Sequence, residues 1–169
     1  MKLLLTIITL FSLSFADSYE ADLSAEEAYE MQKEGKTIIV DVRTSLEYIY
    51  VGHGEGFINI PAYYWSYDPK SIETRVKSAA YEIKNSKVKD HKSAMKLYNA
   101  KELQNKNFVS EVMQAMKMQG VDSVVLVCRS GPRSKAAANM LASEGIVAYN
   151  LEDGFINGWV EDEMPWGGQ

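Results

Sequence analysis

The chain has 169 residues, of which 46% are hydrophobic and 24% charged, with a formal net charge of −5. That length supports one domain with a sizeable core. A net negative chain is not built to coat nucleic acid or an anionic membrane, so a basic cluster within it acts as a local field.

In chain order, Met1-Lys2 supplies a positive start, Leu3 to Phe15 is mostly apolar, and Ser14-Phe15-Ala16 places small residues where a signal peptidase reads them. This predicts a signal peptide over residues 1–16, a mature chain from Asp17, and a periplasmic or secreted protein. The apolar run falls short of the roughly 20 residues a bilayer span needs, so no membrane span is expected after cleavage. The single cysteine, Cys128, excludes an internal disulfide. A lone thiol in an oxidising compartment is a liability unless it has a use, and its charged and glycine neighbours argue against a buried apolar setting.

Ser24-Ala25-Glu26-Glu27 forms a capping box that starts a helix ending near Gly35. Thr37 to Val42 is a continuous apolar, β-branched run, the pattern of a strand covered on both faces in a parallel sheet. Ser45 to Tyr50 predicts a short helix capped by Thr44; Gly52-His53-Gly54-Glu55-Gly56 is a loop, and Phe57 to Ile60 a short strand ended by Pro61. From Ser66 to Gly120 the chain turns polar, with apolar positions at helical spacing. One helix is expected from about Ser71 to Lys84, a polar loop from Lys84 to Lys92, and a second helix through Phe108, Val112 and Met116 closed by Gly120. Ser123 to Val127 is a second buried strand, Ser134 to Ser143 a helix, Val147 to Leu151 a third strand, and Phe155 to Val160 a final short helix. Alternating strands and helices indicate an α/β fold with an open, mostly parallel sheet flanked by helices. The stretch 67–119 reads as an added helical insertion.

The chemistry concentrates in Cys128-Arg129-Ser130-Gly131-Pro132-Arg133-Ser134, between a strand and a helix. Backbone N–H groups converge on an anion at such a place, and the helix dipole and two arginines favour thiolate over thiol. Four residues separate Cys128 from Arg133, one fewer than in tyrosine-phosphatase-type loops. The tighter ring suits an anionic persulfide better than a phosphate. With two histidines and one cysteine, no dedicated metal centre is expected.

The chain resembles the rhodanese-like domains, single-domain sulfurtransferases. The resemblance rests on Asp41-Val42-Arg43, Glu47-Tyr48 before Gly52-His53, Asn59-Ile60-Pro61, the Cys128–Ser134 loop, and Leu151-Glu152-Asp153-Gly154 with Trp159. It spans Ile38 to Trp159 and makes 17–169 the expected domain. It implies that Cys128 takes the outer sulfur of thiosulfate or a persulfide donor and passes it to cyanide, a thiol or a protein acceptor, with no cofactor. Arg129 and Arg133 would orient the anionic donor, with Ser130, Gly131 and Ser134 lining the bound sulfur. Asp41, Arg43 and His53 would support the loop. Three departures stand out: Glu47 and Gly52 are one residue further apart than usual, Phe155 replaces a glycine, and Pro132 removes one N–H. The alternatives are a non-catalytic sulfur carrier or persulfide-dependent binding module, and a phosphatase or arsenate reductase on the same fold. The sequence carries no signal for an oligomeric state.

Overall fold

The computed structural model describes residues 18–85 and 96–168. The expected signal peptide, and most of the stretch read as a loop between Lys84 and Lys92, lie outside the described residues. Among the described residues no helix is long and apolar enough to cross a membrane.

The central sheet is parallel. It is built from β1 (Asp22–Leu23), β2 (Thr37–Asp41), β4 (Ile58–Asn59), β7 (Ser123–Val127) and β8 (Val147–Leu151), in the order β1-β8-β7-β2-β4. Every residue of β2 is buried, as is all of β7 after Ser123. The alternation of the strand sends Ile38, Val40, Val124 and Leu126 to one face, where they meet Phe108 and Val112 of α4 (Phe108–Gln119) and Ala137 and Leu141 of α5 (Pro132–Ala142). Ile39, Val125 and Val127 go to the other face. There they meet Ala25 and Ala28 of α1 (Ala25–Lys33), with Phe155 and Trp159. The uninterrupted apolar runs thus reflect two covered faces.

The expected capping box at Ser24 is present: Ser24 Oγ accepts from the Glu27 N–H, and Glu27 Oε2 accepts from the Ser24 N–H at 2.9 Å. A second box at Thr44 and Glu47 starts α2 (Ser45–Val51). The last expected helix, Phe155–Val160, is a π-helix, an uncommon form frequent at functional sites. Two short antiparallel strands, β3 (His53–Gly54) and β9 (Trp166–Gly167), pair beside it.

The insertion differs from its expectation. It holds α3 (Ile72–Asn85) and α4, but its frame is an antiparallel ribbon of β5 (Tyr63–Pro69) and β6 (Tyr98–Gln104), paired from Tyr63↔Gln104 to Pro69↔Tyr98. The aromatic run Tyr63-Tyr64-Trp65-Ser66-Tyr67 explains this, since aromatic side chains favour the extended chain. The ribbon is rooted at the sheet. Ala62 donates to the Val42 carbonyl at 3.2 Å, the Asn105 N–H donates to Ala62 at 2.9 Å, and the buried Asn105 amide donates to Pro61 at 2.9 Å. The ribbon therefore leaves the body beside the C-terminal end of β2.

Trp159 is fully buried. It packs edge-on against Phe57 (centroids 4.6 Å apart) and Tyr29 (5.7 Å), and its indole N–H donates to Pro165 at 2.9 Å. Trp159→Ala should destabilise the protein by about 3–5 kcal/mol, read as a lower urea midpoint; a loss below about 1 kcal/mol would contradict its place as the anchor of this face.

Candidate active site

The sheet order places β7 at the centre, next to β2. The chain leaves β2 toward β4 on one side and β7 toward β8 on the other, so the crevice at their C-terminal ends is the switch point where open α/β sheets bind ligands. Cys128 follows β7 directly, and Asp41 ends β2.

Cys128 is 1% exposed. This corrects the expectation drawn from its polar neighbours: the residue is buried, with its side chain on the face that α5 covers. The sulfur's own partners are polar. Burial pushes the thiol up, but the Ser134 hydroxyl and the backbone N–H groups of Ser134, Ser130 and Arg133 outweigh it and hold the thiol below its ordinary value. The Ser134 hydroxyl has a single proton and also lies 2.8 Å from the Gly131 carbonyl, so it serves one acceptor or the other according to its rotamer. The three amides are therefore the donors that do not depend on a rotamer. Pro132 stands in the first turn of α5, where an N–H has no helical partner, and none of the amides that hold the sulfur is lost to it.

Two glycines let the loop close this tightly. Gly131 has φ +97°, and an added Cβ would overlap the Glu152 carbonyl oxygen. Gly154 has φ +67°, and a Cβ there would lie 2.5 Å from the Ser130 nitrogen. This close approach lets the next two amides bond the loop: Phe155 N–H donates to the Cys128 carbonyl at 2.7 Å and Ile156 N–H to Arg129 at 3.1 Å.

Beneath the loop lies a buried ion pair. Arg43 Nη2 donates to Asp41 Oδ2 at 2.6 Å and to the Gly52 carbonyl at 2.7 Å, and Asp41 Oδ1 accepts the Arg43 backbone N–H at 2.9 Å. The Arg43 guanidinium sits 4.3 Å from the centre of the Phe155 ring. Phe155, in place of the usual glycine, thus joins the pair to the loop through ring and amide. Asn59 ties the same corner, donating to the carbonyls of Asp41 and Arg43. His53 stacks on Tyr48 at 3.8 Å, with Nδ1 3.2 Å from the Tyr48 carbonyl.

The remaining loop residues divide. Arg129 and Ser130 are exposed, Gly131 and Ser134 buried. Arg133 is half-buried and makes a fork to Glu47, with Nη2–Oε1 at 2.8 Å and Nη1–Oε2 at 3.0 Å. The sequence reading missed this pairing, although the Thr44-x-x-Glu47 spacing marks Glu47 as a box carboxylate facing back along the helix. Burial pushes the Glu47 carboxyl up, but Arg133 and Thr44 overcome it and leave it below the ordinary glutamate value. In return, Glu47 holds the Arg133 guanidinium more firmly protonated. Trp159 is buried in the core, and Trp65 is exposed on the ribbon.

The family model described as Rhodanese-like domain matches residues 24–162. An uncharacterized protein, RP600, of Rickettsia prowazekii (strain Madrid E) is 35% identical over 68 residues; the match covers 37% of this chain and spans about half, 55%, of that protein's length. The crystal structure of Rv0390 from M. tuberculosis is similar, with a TM-score of 0.57 at 22% identity, over 89% of this chain and 98% of that one. A thiosulfate sulfurtransferase from Pseudomonas aeruginosa aligns with a TM-score of 0.52 at 15% identity, over 89% of this chain and 20% of that one. These two structures share the fold.

The Glu47–Arg133 pair has a defined pH signature. The folded carboxyl titrates below the unfolded one, so its contribution is complete above the ordinary glutamate value of about 4.3 and fades as pH falls through the depressed value. The urea-midpoint gap between the native protein and Glu47→Gln should be full near neutral pH and shrink in acid; a gap independent of pH would contradict the pairing.

Proposed function

The chain belongs to the rhodanese-like domain family, and on that premise we propose that it is a sulfurtransferase that carries a sulfane sulfur as a persulfide on Cys128. The observation that supports this most is the convergence of three amides on one enclosed sulfur. Buried sulfur should hold its proton; here the surroundings favour the thiolate, the nucleophilic form.

The cycle follows from the site. The Cys128 thiolate attacks the outer sulfur of thiosulfate or of an organic persulfide. An Sγ–S bond forms, the donor's S–S bond breaks, and sulfite or the donor thiolate leaves with the electron pair. The new terminal sulfur is anionic, and the amides of Ser130, Arg133 and Ser134 that faced the thiolate stabilise it in turn. An acceptor thiolate or cyanide then attacks that sulfur, and Sγ recovers its electron pair. Arg129, exposed at the mouth, attracts the anionic donor, and Arg133 adds positive charge tempered by Glu47. Asp41, Arg43 and Phe155 keep the loop in shape and touch no reactant.

The enclosure of Cys128 also bears on specificity. A loop this close around its sulfur admits a reacting atom and little else, which suits a terminal sulfur better than the four oxygens of a phosphate monoester.

Intact-mass measurement after incubation with thiosulfate or cysteine persulfide should show the native chain gaining one sulfur atom, removable by dithiothreitol or cyanide. Cys128→Ser should gain none and lose transfer entirely, with an unchanged urea midpoint. Transfer retained by that variant would refute the mechanism.

Export belongs to the same proposal and stands on residues 1–16 of the sequence. N-terminal sequencing of protein recovered from the periplasm or medium should begin at or near Asp17; an intact Met1 would contradict it.

A further inference from the structure

Beside the loop, the first turn of α2 and the root of the ribbon enclose a cavity of about 600 Å³. One wall is Leu46, and the other is Tyr64, Trp65 and Tyr67. Trp65 and Tyr67 stack with centroids 6.2 Å apart and planes at 23°. The polar end is the Arg133–Glu47 pair. Arg133 therefore belongs to both places: its backbone N–H faces the Cys128 sulfur, and its side chain lines the cavity.

Single exposed apolar side chains are ordinary on a protein surface. Here Leu46 is 64% exposed, Trp65 40% and Tyr67 44%, and all three line one ligand-sized cavity that Arg133 of the Cys128 loop lines as well. The backbone holds this wall in place, because the ribbon's root bonds to the carbonyl of Val42, at the end of β2. The charge balance narrows what fits. Glu47 neutralises the Arg133 charge, so an inorganic dianion gains little at the cavity's polar end. Two of the five guanidinium N–H bonds point at Glu47, which leaves three for a singly charged sulfur. The walls offer stacking faces to a flat apolar group.

We propose that this cavity binds the organic group of the partner in sulfur exchange, and that this partner is a flat apolar thiol, aromatic in its simplest form, together with its hydropersulfide. The proposal rests on Cys128 being a persulfide carrier. The partner's thiolate attacks the terminal sulfur of the Cys128 persulfide. A partner S–S bond forms, the Sγ–S bond breaks, and its electron pair returns to Sγ as thiolate. Charge and sulfur are conserved, no oxidant is consumed, and the reverse step loads the protein from the hydropersulfide. One cavity thus serves both directions.

Two measurements on the full chain separate this from its premise. Ligand-observed NMR with p-cresol, an oxygen counterpart that accepts no sulfur, reads binding. Steady-state transfer from thiosulfate or cysteine persulfide to p-thiocresol or to cyanide reads exchange. p-Cresol should bind saturably to the native protein and to Cys128→Ser, and about tenfold more weakly to Trp65→Ala and to Leu46→Ala. The same two substitutions should lower kcat/KM for p-thiocresol about tenfold more than for cyanide. Equal losses with both acceptors, or p-cresol binding indifferent to both substitutions, would overturn the subsite. Transfer to cyanide without p-cresol binding would overturn the subsite and leave sulfur transfer standing. Saturable p-cresol binding without transfer to either acceptor would keep the cavity as an aromatic site and overturn Cys128 as its sulfur source.

Discussion

A sulfur enclosed by protein holds its proton unless something in the enclosure prefers the anion, because burial disfavours charge. At Cys128 that preference comes from backbone amides fixed by the loop's own geometry. They cost no reorganisation when charge appears, and in the proposed cycle they also face the terminal sulfur of the persulfide. The rest of the molecule can be understood as what is needed to hold seven residues in that ring. The central strand delivers the cysteine, α5 begins within the loop, and the Gly154 turn clamps the loop from the side.

Charge is distributed around this ring with some economy. Asp41 and Arg43 neutralise each other in the core and act as a strut under the loop, while Glu47 tempers Arg133 at its rim. Breaking a buried pair by removing one partner leaves the other charge uncompensated, so such a strut is rigid. Arg129, by contrast, is exposed and has no acidic partner among the described residues. In the proposed cycle, the field that draws in the donor and the dipoles that stabilise the transferred sulfur come from different atoms. Attraction and chemistry can thus be altered separately.

Much of the frame was legible from residue pattern. The runs Thr37 to Val42 and Ser123 to Val127 announced doubly covered strands, and Ser24 and Glu27 announced a helix start. The Cys128 loop stood out because cysteine, arginines and glycine met at a strand-to-helix junction. What escaped depended on distance in sequence. Glu47 and Arg133 are 86 residues apart, and nothing local says that they meet. The ribbon escaped because its polar, charged second strand, Tyr98–Gln104, lacks alternation, and only pairing with the aromatic first strand defines it. The enclosure of Cys128 was misjudged because exposed neighbours, Arg129 and Ser130, say little about a side chain turned to the opposite face.

These amides hold the Cys128 thiol below its ordinary value despite its burial. Because the chain has a single cysteine, the ultraviolet thiolate absorbance of the native protein minus that of Cys128→Ser reports this group alone. Titrated across pH, that difference should reach its midpoint below the ordinary thiol value of about 8.5. A midpoint at or above that value would mean that burial wins over the amides, and the account would fail.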